Sequence, residues 1–260
     1  MNWIYLSPHL DDGVFSCGGL IWERASHGDD VQIWTICAGE SSDGVLSSYA
    51  QKHHQRWETG SDAVAQRRLE DMRACERVGA TTRYFPIPDC IYRRSGENYW
   101  DRRSDQTPGG AQQGENLYAS DIGIFGSIHP AESGLIEQLG DELCKSVPVD
   151  AELICPLAIG GHVDHRLTRA AAQALGRPLW FYADFPYVLN RIGDLNELIS
   201  QGWTFRLFEV TAEGLEAWYE AAAAYESQIS TFWSDRSALR ASLEFYREQP
   251  GGLRLFQPPQ

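Results

Sequence analysis

The stretch Ser7-Pro8-His9-Leu10-Asp11-Asp12 follows the apolar run Trp3-Ile4-Tyr5-Leu6 at the start of a 260-residue chain. The four apolar residues read as a short buried strand that Pro8 stops. One imidazole and two carboxylates then fall within four residues, ahead of the small Gly18-Gly19 pair. Open α/β sheets bind ligands at the carboxyl ends of their strands, and packing a core does not require His-x-Asp-Asp there. The pattern reads as half of a metal site.

Outward from this stretch, strand and helix patterns alternate. Val14 to His27 carries a helical face of Val14, Phe15, Leu20, Ile21 and Trp22, ended by Gly28-Asp29-Asp30; Val31 to Cys37 is a second apolar strand. This strand–helix–strand unit is long enough for a right-handed parallel crossover. Helical spacing returns from Asp62 to Gly79, and Thr82 to Ile87 supplies a third strand. Ser133–Lys145 and His165–Leu175 read as helices, and Glu152–Leu157, Leu179–Tyr182 and Trp203–Val210 as strands. Beyond Glu213 the chain is alanine-rich and helical, then ends in an irregular Pro-rich tail. Residues 41–60, with His53-His54, read as a polar surface loop, a base for a lid. Residues 93–120 hold Arg93-Arg94, Arg102-Arg103 and Pro108-Gly109-Gly110 and read as an insertion over the site rather than a domain boundary. The expectation is an α/β fold, three-layer and Rossmann-like, with a mainly parallel sheet and helices on both faces. It forms one domain over 1–260, with 93–120 as a loop insertion and 213–260 as a C-terminal helical extension.

Composition narrows the partners. With 43% hydrophobic and 22% charged residues the chain has material for a substantial core. A formal net charge of −14 leaves no basic surplus to neutralise phosphates, which argues against nucleic acid and anionic membranes. The opening residues lack a signal-peptide pattern, and no apolar run is long enough to span a bilayer. The cysteines at 17, 37, 75, 90, 144 and 155 form no CxxC pair. Buried thiols in a reducing cytoplasm are therefore expected rather than zinc ribbons or redox dithiols.

The other half of the suspected site is Gly160-Gly161-His162-Val163-Asp164-His165, again after an apolar strand and entering a helix. Two imidazoles three residues apart at a helix start can share a face. His9, Asp12 and His165 together offer two nitrogens and one oxygen, the ligand set of a catalytic zinc or ferrous site with coordination open for water. Asp11 is then free to act as base, and His162 to stabilise an oxyanion or protonate a leaving amine. Each half also has a plainer reading: aspartates capping the helix near Gly13, and a helix cap with solvated imidazoles. The joint placement of three of the seven histidines at two strand-to-helix junctions favours the site.

At these residues the chain resembles the PIG-L/LmbE-like family of metal-dependent de-N-acetylases, which opens with Pro-His-Pro-Asp-Asp-Glu and later carries His-Pro-Asp-His. Here the motifs stand as Pro8-His9-Leu10-Asp11-Asp12-Gly13 and His162-Val163-Asp164-His165. Weaker similarities are Ala38-Gly39-Glu40, Arg67-Arg68-Leu69-Glu70 running to Val78-Gly79, Pro88-Asp89, Phe185-Pro186-Tyr187 and Tyr225-Glu226-Ser227-Gln228. In order, these cover most of the chain.

The resemblance implies a metal held by His9, Asp12 and His165, a general base at Asp11, a second histidine at His162, and substrate contacts from Arg68 and Asp89. It implies a Zn2+-dependent hydrolase, or one using another divalent metal such as Fe2+, that removes an N-acetyl or other N-acyl group from an amino-sugar-containing small molecule. An amidase of a larger acyl or thiol conjugate and a non-catalytic sugar- or metal-binding protein are the alternatives; a homo-oligomer is left open. Tyr92, Tyr99, Trp100 and Tyr118 either stack on a sugar or pin their loops to the body. Two positions depart from the family. Leu10 replaces a proline, which loosens a turn. Gly13 replaces a glutamate, which removes an outer hydrogen bond or charge and can cost ~10–100-fold in affinity or activity.

Overall fold

The computed structural model describes residues 1–41, 45–60, 62–100, 114–248 and 251–259. Strand β1 (Asn2–Ser7) leads into α1 (Asp12–Ser26) and β2 (Asp30–Thr35); α2 (Ser48–Arg56) and α3 (Ala63–Arg77) precede β3 (Thr81–Tyr84). A short helical turn α4 (Asp121–Ile124) and helix α5 (Ser133–Ser146) lead to β4 (Glu152–Pro156), α6 (Val163–Gln173) and β5 (Trp180–Tyr182). Then come α7 (Ile192–Ser200), β6 (Thr204–Phe208), α8 (Ala212–Ala222), α9 (Glu226–Phe232), α10 (Arg236–Glu248) and β7 (Leu253–Gln257).

The strands form one sheet in the order β3-β2-β1-β4-β5-β7-β6. β1 pairs in parallel with β2 (Tyr5 beside Ile33) and with β4 (Tyr5 beside Ile154), so it is central. Ile4, Tyr5 and Leu6 are accordingly inaccessible to solvent, as a strand covered on both faces demands. From β1 the chain first moves outward through β2 and β3, then returns to the other side of β1 for β4 and β5. Right-handed crossovers in opposite directions put α1 and α3 on one face and α6 on the other. The direction reverses between β1 and β4, so a crevice opens at their carboxyl ends. Both histidine-aspartate motifs lie at those ends.

The Gly18-Gly19 pair lies within α1 and is part of the core. A Cβ on Gly18 would run into the Trp218 ring, and one on Gly19 would stand 2.7 Å from Val210 Cγ1. These glycines let α1 approach α8 until Trp218 Nε1 donates to the Val14 carbonyl at 2.7 Å. Trp218 is fully buried; such burial removes roughly 150–250 Å2 from water, worth about 4–6 kcal/mol before entropy is counted.

Two expectations are corrected, and one pair of open readings is decided. Residues 48–56 are helical, not loop: Ser47 Oγ accepts from Ala50 N–H at 3.0 Å to cap α2, whose buried residues are only Ala50 and His54. So polar a helix escapes a search for apolar periodicity. The Pro-rich tail contains β7, which lies between β5 and β6 and pairs antiparallel with both (Phe181 beside Phe256, Phe205 beside Phe256). Leu253, Leu255 and Phe256 are buried, so the C-terminal segment completes the sheet instead of extending from it. The aromatics of the polar loops mostly pin: Tyr92, Tyr99 and Tyr118 are buried, and Tyr118 Oη donates to Glu132 Oε2 at 2.5 Å. The ends of the 93–120 segment are laced together, Ser95 N–H to Glu115 O at 3.0 Å and Leu117 N–H to Arg93 O at 3.0 Å; residues 101–113 of that expected insertion lie outside the described residues.

Candidate active site

His9 leaves the end of β1 and turns back on the first residue of α1. Its backbone N–H donates to Asp12 Oδ2 at 2.9 Å, and its Nδ1 lies 3.0 Å from the same oxygen. His165, in the first turn of α6, brings Nε2 to 3.4 Å from that oxygen. This Nε2 is buried and has no hydrogen-bond partner among the described residues. Both histidines are tethered on their other ring nitrogen. His9 Nε2 meets Asp164 Oδ2 at 2.9 Å, and His165 Nδ1 meets Asp184 Oδ1 at 2.6 Å. A carboxylate on the far nitrogen fixes ring orientation and makes the near nitrogen a better electron donor, the usual support of metal-ligating histidines. His9, His162 and His165 offer ring nitrogens within 4.8 Å of one another, as do ligand atoms of His9, Asp11 and Asp12, so the cluster can hold a divalent metal.

The electrostatics suit a cation. Burial opposes charge on His9, yet Asp89, Asp12 and Asp164 outweigh it and hold its pKa well above the ordinary histidine value. The same contest, with Asp12 and Asp184 as the acids, raises His165. Burial alone would raise Asp12, but His165 and His9 pull it well below the carboxylate range. Asp11 is pushed up to about 6 by burial and by Asp12, against the pull of Arg67. The side chain of Asp11 makes no capping bond to α1, so the plainer cap reading fails there. His162 does cap α6, its Nδ1 accepting from Asp164 N–H at 3.2 Å, but it is buried rather than solvated. Burial, then the neighbouring His9, drives its pKa down to about 3. His162 is therefore neutral, and an accepting Nδ1 places its single proton on Nε2.

Of the two residues expected to contact substrate, Asp89 lies beside the cluster. Its Oδ1 accepts from Ile91 N–H at 3.2 Å, leaving Oδ2 at 3.8 Å from His9 Nε2 and 3.9 Å from Arg67 Nη1. Arg68 is engaged elsewhere: its Nε and Nη2 donate to the Ala38 carbonyl at 3.0 and 2.5 Å. Arg67 takes the position beside the acids, with Nη2 3.4 Å from Asp11 Oδ2 and the guanidinium 4.7 Å from the Trp57 ring centre. In a helix a one-residue shift turns a side chain by about a quarter turn or more, and apolar spacing does not tell which arginine of a pair faces in.

Sequence reading also missed Asp164, Asp184 and Arg93. Asp164 was inside the quoted motif, and the rule that a metal-binding histidine carries a carboxylate behind it could have found it. Asp184 had a weaker signal, a lone acid at the carboxyl end of β5. Arg93 had none. It is wholly buried, with Nη1 2.5 Å from Asp164 Oδ1 and Nε 2.5 Å from Glu132 Oε1. Gly13 is packed closely: a Cβ there would lie 3.3 Å from Ile33 Cγ2 and from Ser7 Cβ. Its N–H donates to Ser7 Oγ at 2.9 Å, and that hydroxyl donates to the His9 carbonyl at 2.5 Å. A serine bridge thus braces the turn where a glutamate side chain was expected.

A family model described as PIG-L, GlcNAc-PI de-N-acetylase, matches residues 4–175. A 2'-N-acetylparomamine deacetylase of Niallia circulans is 25% identical over 217 residues, which cover 77% of this chain and 71% of that protein. The 2'-N-acetylparomamine deacetylase of Streptomyces fradiae is 28% identical over 195 residues, 72% of this chain and 58% of the relative's own length. The crystal structure of the zinc-inhibited form of teicoplanin deacetylase superposes with a TM-score of 0.77 at 25% identity, covering 99% of this chain and 97% of that one. Among the described residues no helix is long and apolar enough to cross a membrane.

Proposed function

The chain belongs to the PIG-L family of de-N-acetylases, and on that premise we propose that it is a zinc-dependent hydrolase acting on an N-acetylated amino sugar, with residues 1–260 working as one deacetylase domain. The observation that carries the reading is the paired tether. Asp164 and Asp184 hold the outer nitrogens of His9 and His165, and the inner nitrogens meet at Asp12 Oδ2. His9, Asp12 and His165 would hold the ion, and two nitrogens with one oxygen suit zinc or ferrous iron. When bound, such an ion supplies Lewis-acid polarisation of an amide carbonyl and makes water a competent nucleophile near neutral pH.

The chain's own groups divide the remaining work. Asp11, steadied by Arg67, takes a proton from the attacking water as the new C–O bond forms. His162 stays neutral and donates from Nε2–H to the developing oxyanion. Asp11 then returns its proton to the amine nitrogen as the C–N bond breaks, releasing acetate and the free amino sugar. The proposed contacts to substrate hydroxyls are Arg67 and Asp89, which lie beside the cluster, with Arg68 bonded instead to the Ala38 carbonyl. The test is metal content and acetate release from N-acetylated amino sugars for wild type, His165→Ala and Asp11→Asn. The expected result is metal loss in His165→Ala and retained metal without turnover in Asp11→Asn. Retained metal in the first, or full activity in the second, would sink the assignment.

A further inference from the structure

Beside the catalytic crevice lies a second cavity of about 580 Å3 that the proposed chemistry does not use. It is lined by Phe125, the Gly160-Gly161 turn and three arginines, Arg166, Arg169 and Arg191, with the Arg166 guanidinium lying against Gly161. Phe125 is 42% exposed, an unusual setting for a phenylalanine. Its ring packs edge-on against His162 at 5.5 Å and Tyr187 at 6.3 Å between centres. It is therefore a shared partition between the reacting centre and the cavity.

The arginines are arranged for an anion. Arg166 and Arg169 stand at i and i+3 on α6, neighbours on the helix surface and one turn from the catalytic histidines. Each is held by a main-chain carbonyl, Arg166 Nε by Gly161 O at 3.0 Å and Arg169 Nη1 by Leu157 O at 2.7 Å. Neither has a carboxylate partner among the described residues, in a chain with 36 acidic against 22 basic side chains. A guanidinium has five N–H donors, so most of them stay available after one such bond. Arg169 is further fixed between Phe181 and Trp203, at 5.2 and 5.6 Å from their ring centres. The acids of the cavity have other partners: Asp194 takes Arg191 at 3.0 Å, and Glu197 Oε1 accepts from Gln201 Nε2 at 3.1 Å. Gly160 and Gly161, at φ of +91° and +80°, turn the backbone tightly between the two compartments.

We infer that this cavity is an oxyanion subsite in which Arg166 and Arg169 bind a carboxylate or phosphate on the aglycone of the substrate while the N-acyl sugar lies in the crevice across Phe125. The inference rests on the deacetylase reading, because it needs an N-acyl group at the neighbouring centre. Planar, fixed guanidiniums suit such groups by paired N–H donation.

The experiment uses three N-acetyl-β-glucosaminides with benzyl, 4-carboxybenzyl and 4-phosphobenzyl aglycones. Binding to the metal-free full chain is measured by calorimetry, and turnover on the metal-loaded enzyme. Wild type is expected to bind at least one anionic glycoside about tenfold or more tighter than the neutral one, as a charge-assisted bond allows. Which anion gains more separates carboxylate from phosphate as the source. In Arg166→Gln and Arg169→Gln the gain falls toward one, through KM rather than kcat, while the neutral glycoside is bound and turned over as before. Arg169→Gln also loses ring contacts, so Arg166→Gln, which has none among the described residues, is the cleaner variant. A selective gain in binding without deacetylation would overturn the proposed function and leave the subsite standing. Equal binding of all three glycosides, or variants that weaken the neutral and anionic ligands alike, would overturn the subsite and show that the arginines only brace the loop.

Discussion

Asp184→Asn tests the paired-tether argument at its most sensitive atom. Asp184 uses both carboxylate oxygens: Oδ2 accepts from Ile159 N–H at 2.8 Å, and Oδ1 meets His165 Nδ1 at 2.6 Å. In an asparagine the amide oxygen must keep facing Ile159 N–H, because its NH2 group cannot accept that bond. The NH2 group then faces Nδ1, which has to become an acceptor. The one proton of the neutral ring moves to Nε2, the nitrogen that faces Asp12. Losing a carboxylate behind a ligating histidine costs ~10–100-fold in metal affinity, about 1.4–2.8 kcal/mol. The wrong tautomer adds to that, so the asparagine variant is expected to lose at least ~100-fold. Asp184→Ala leaves a small polar gap in which water can accept from Nδ1, so the tautomer stays and the loss remains within ~10–100-fold. Metal affinity is measured by competition with a chromophoric chelator, with thermal unfolding of the apo protein as control. Asp184→Asn is expected to bind metal worse than Asp184→Ala, although the alanine variant unfolds first. Binding within about threefold of wild type in Asp184→Asn, or the opposite order, would refute it.

Three further outcomes follow from buried charge and from the paired arginines. Arg93→Met leaves Asp164 and Glu132 without their shared buried cation and should cost about 3–5 kcal/mol in denaturant unfolding; adding Asp164→Asn and Glu132→Gln should recover much of it. A loss below about 1 kcal/mol would mean the ion pairs are not buried as described. Asp71 accepts from Tyr225 Oη at 2.7 Å and Tyr84 Oη at 2.8 Å, and burial pushes its pKa up from 3.8 to about 7. The folded state then holds a proton that the unfolded chain releases, so this contribution to stability is full below the unfolded value and is lost as pH rises through about 7. It amounts to at most about 4 kcal/mol, and chemical denaturation from pH 4 to 8 should show the decline in wild type and a flatter curve in Asp71→Asn. Arg67→Lys should lower kcat/KM by about tenfold or more by loosening Asp11, whereas Arg68→Lys should change it less than threefold; steady-state kinetics with the order reversed would return the role to Arg68.

The legibility of the chain followed the physics of each signal. β1 and the two histidine motifs were readable because a strand buried on both faces is continuously apolar, and chemistry at its end breaks that run with His and Asp. The switch point between β1 and β4 then brought together what sequence separation of some 150 residues had kept apart. Where burial rests on hydrogen bonding instead of apolarity, the sequence was silent. Arg93 was indistinguishable from the rest of the polar 93–120 insertion because its partners, Asp164 and Glu132, are remote in the chain. α2 is nearly all polar, so its cap at Ser47 was the only sign of it. β7 was hidden by its flanks, Gly251-Gly252 and Pro258-Pro259, although Leu253 and Leu255 alternate as a strand should. Gly13 shows the limit of reasoning from a motif. The expected glutamate is absent, yet the space is closed by Ile33 and Ser7, and the Ser7 hydroxyl joins Gly13 to His9.

The central claim is that residues 9–12 and 162–165 form one metal site, and anomalous diffraction at the zinc edge from crystals of the zinc-loaded protein tests it most directly. The account predicts one strong peak about 2.0–2.2 Å from His9 Nδ1, an Asp12 carboxylate oxygen and His165 Nε2, with Asp11 and His162 outside bonding distance. A peak on Cys90, His162 and Asp164, which also offer ligand atoms within 4.8 Å of one another, would contradict it; so would the absence of any peak at the two motifs.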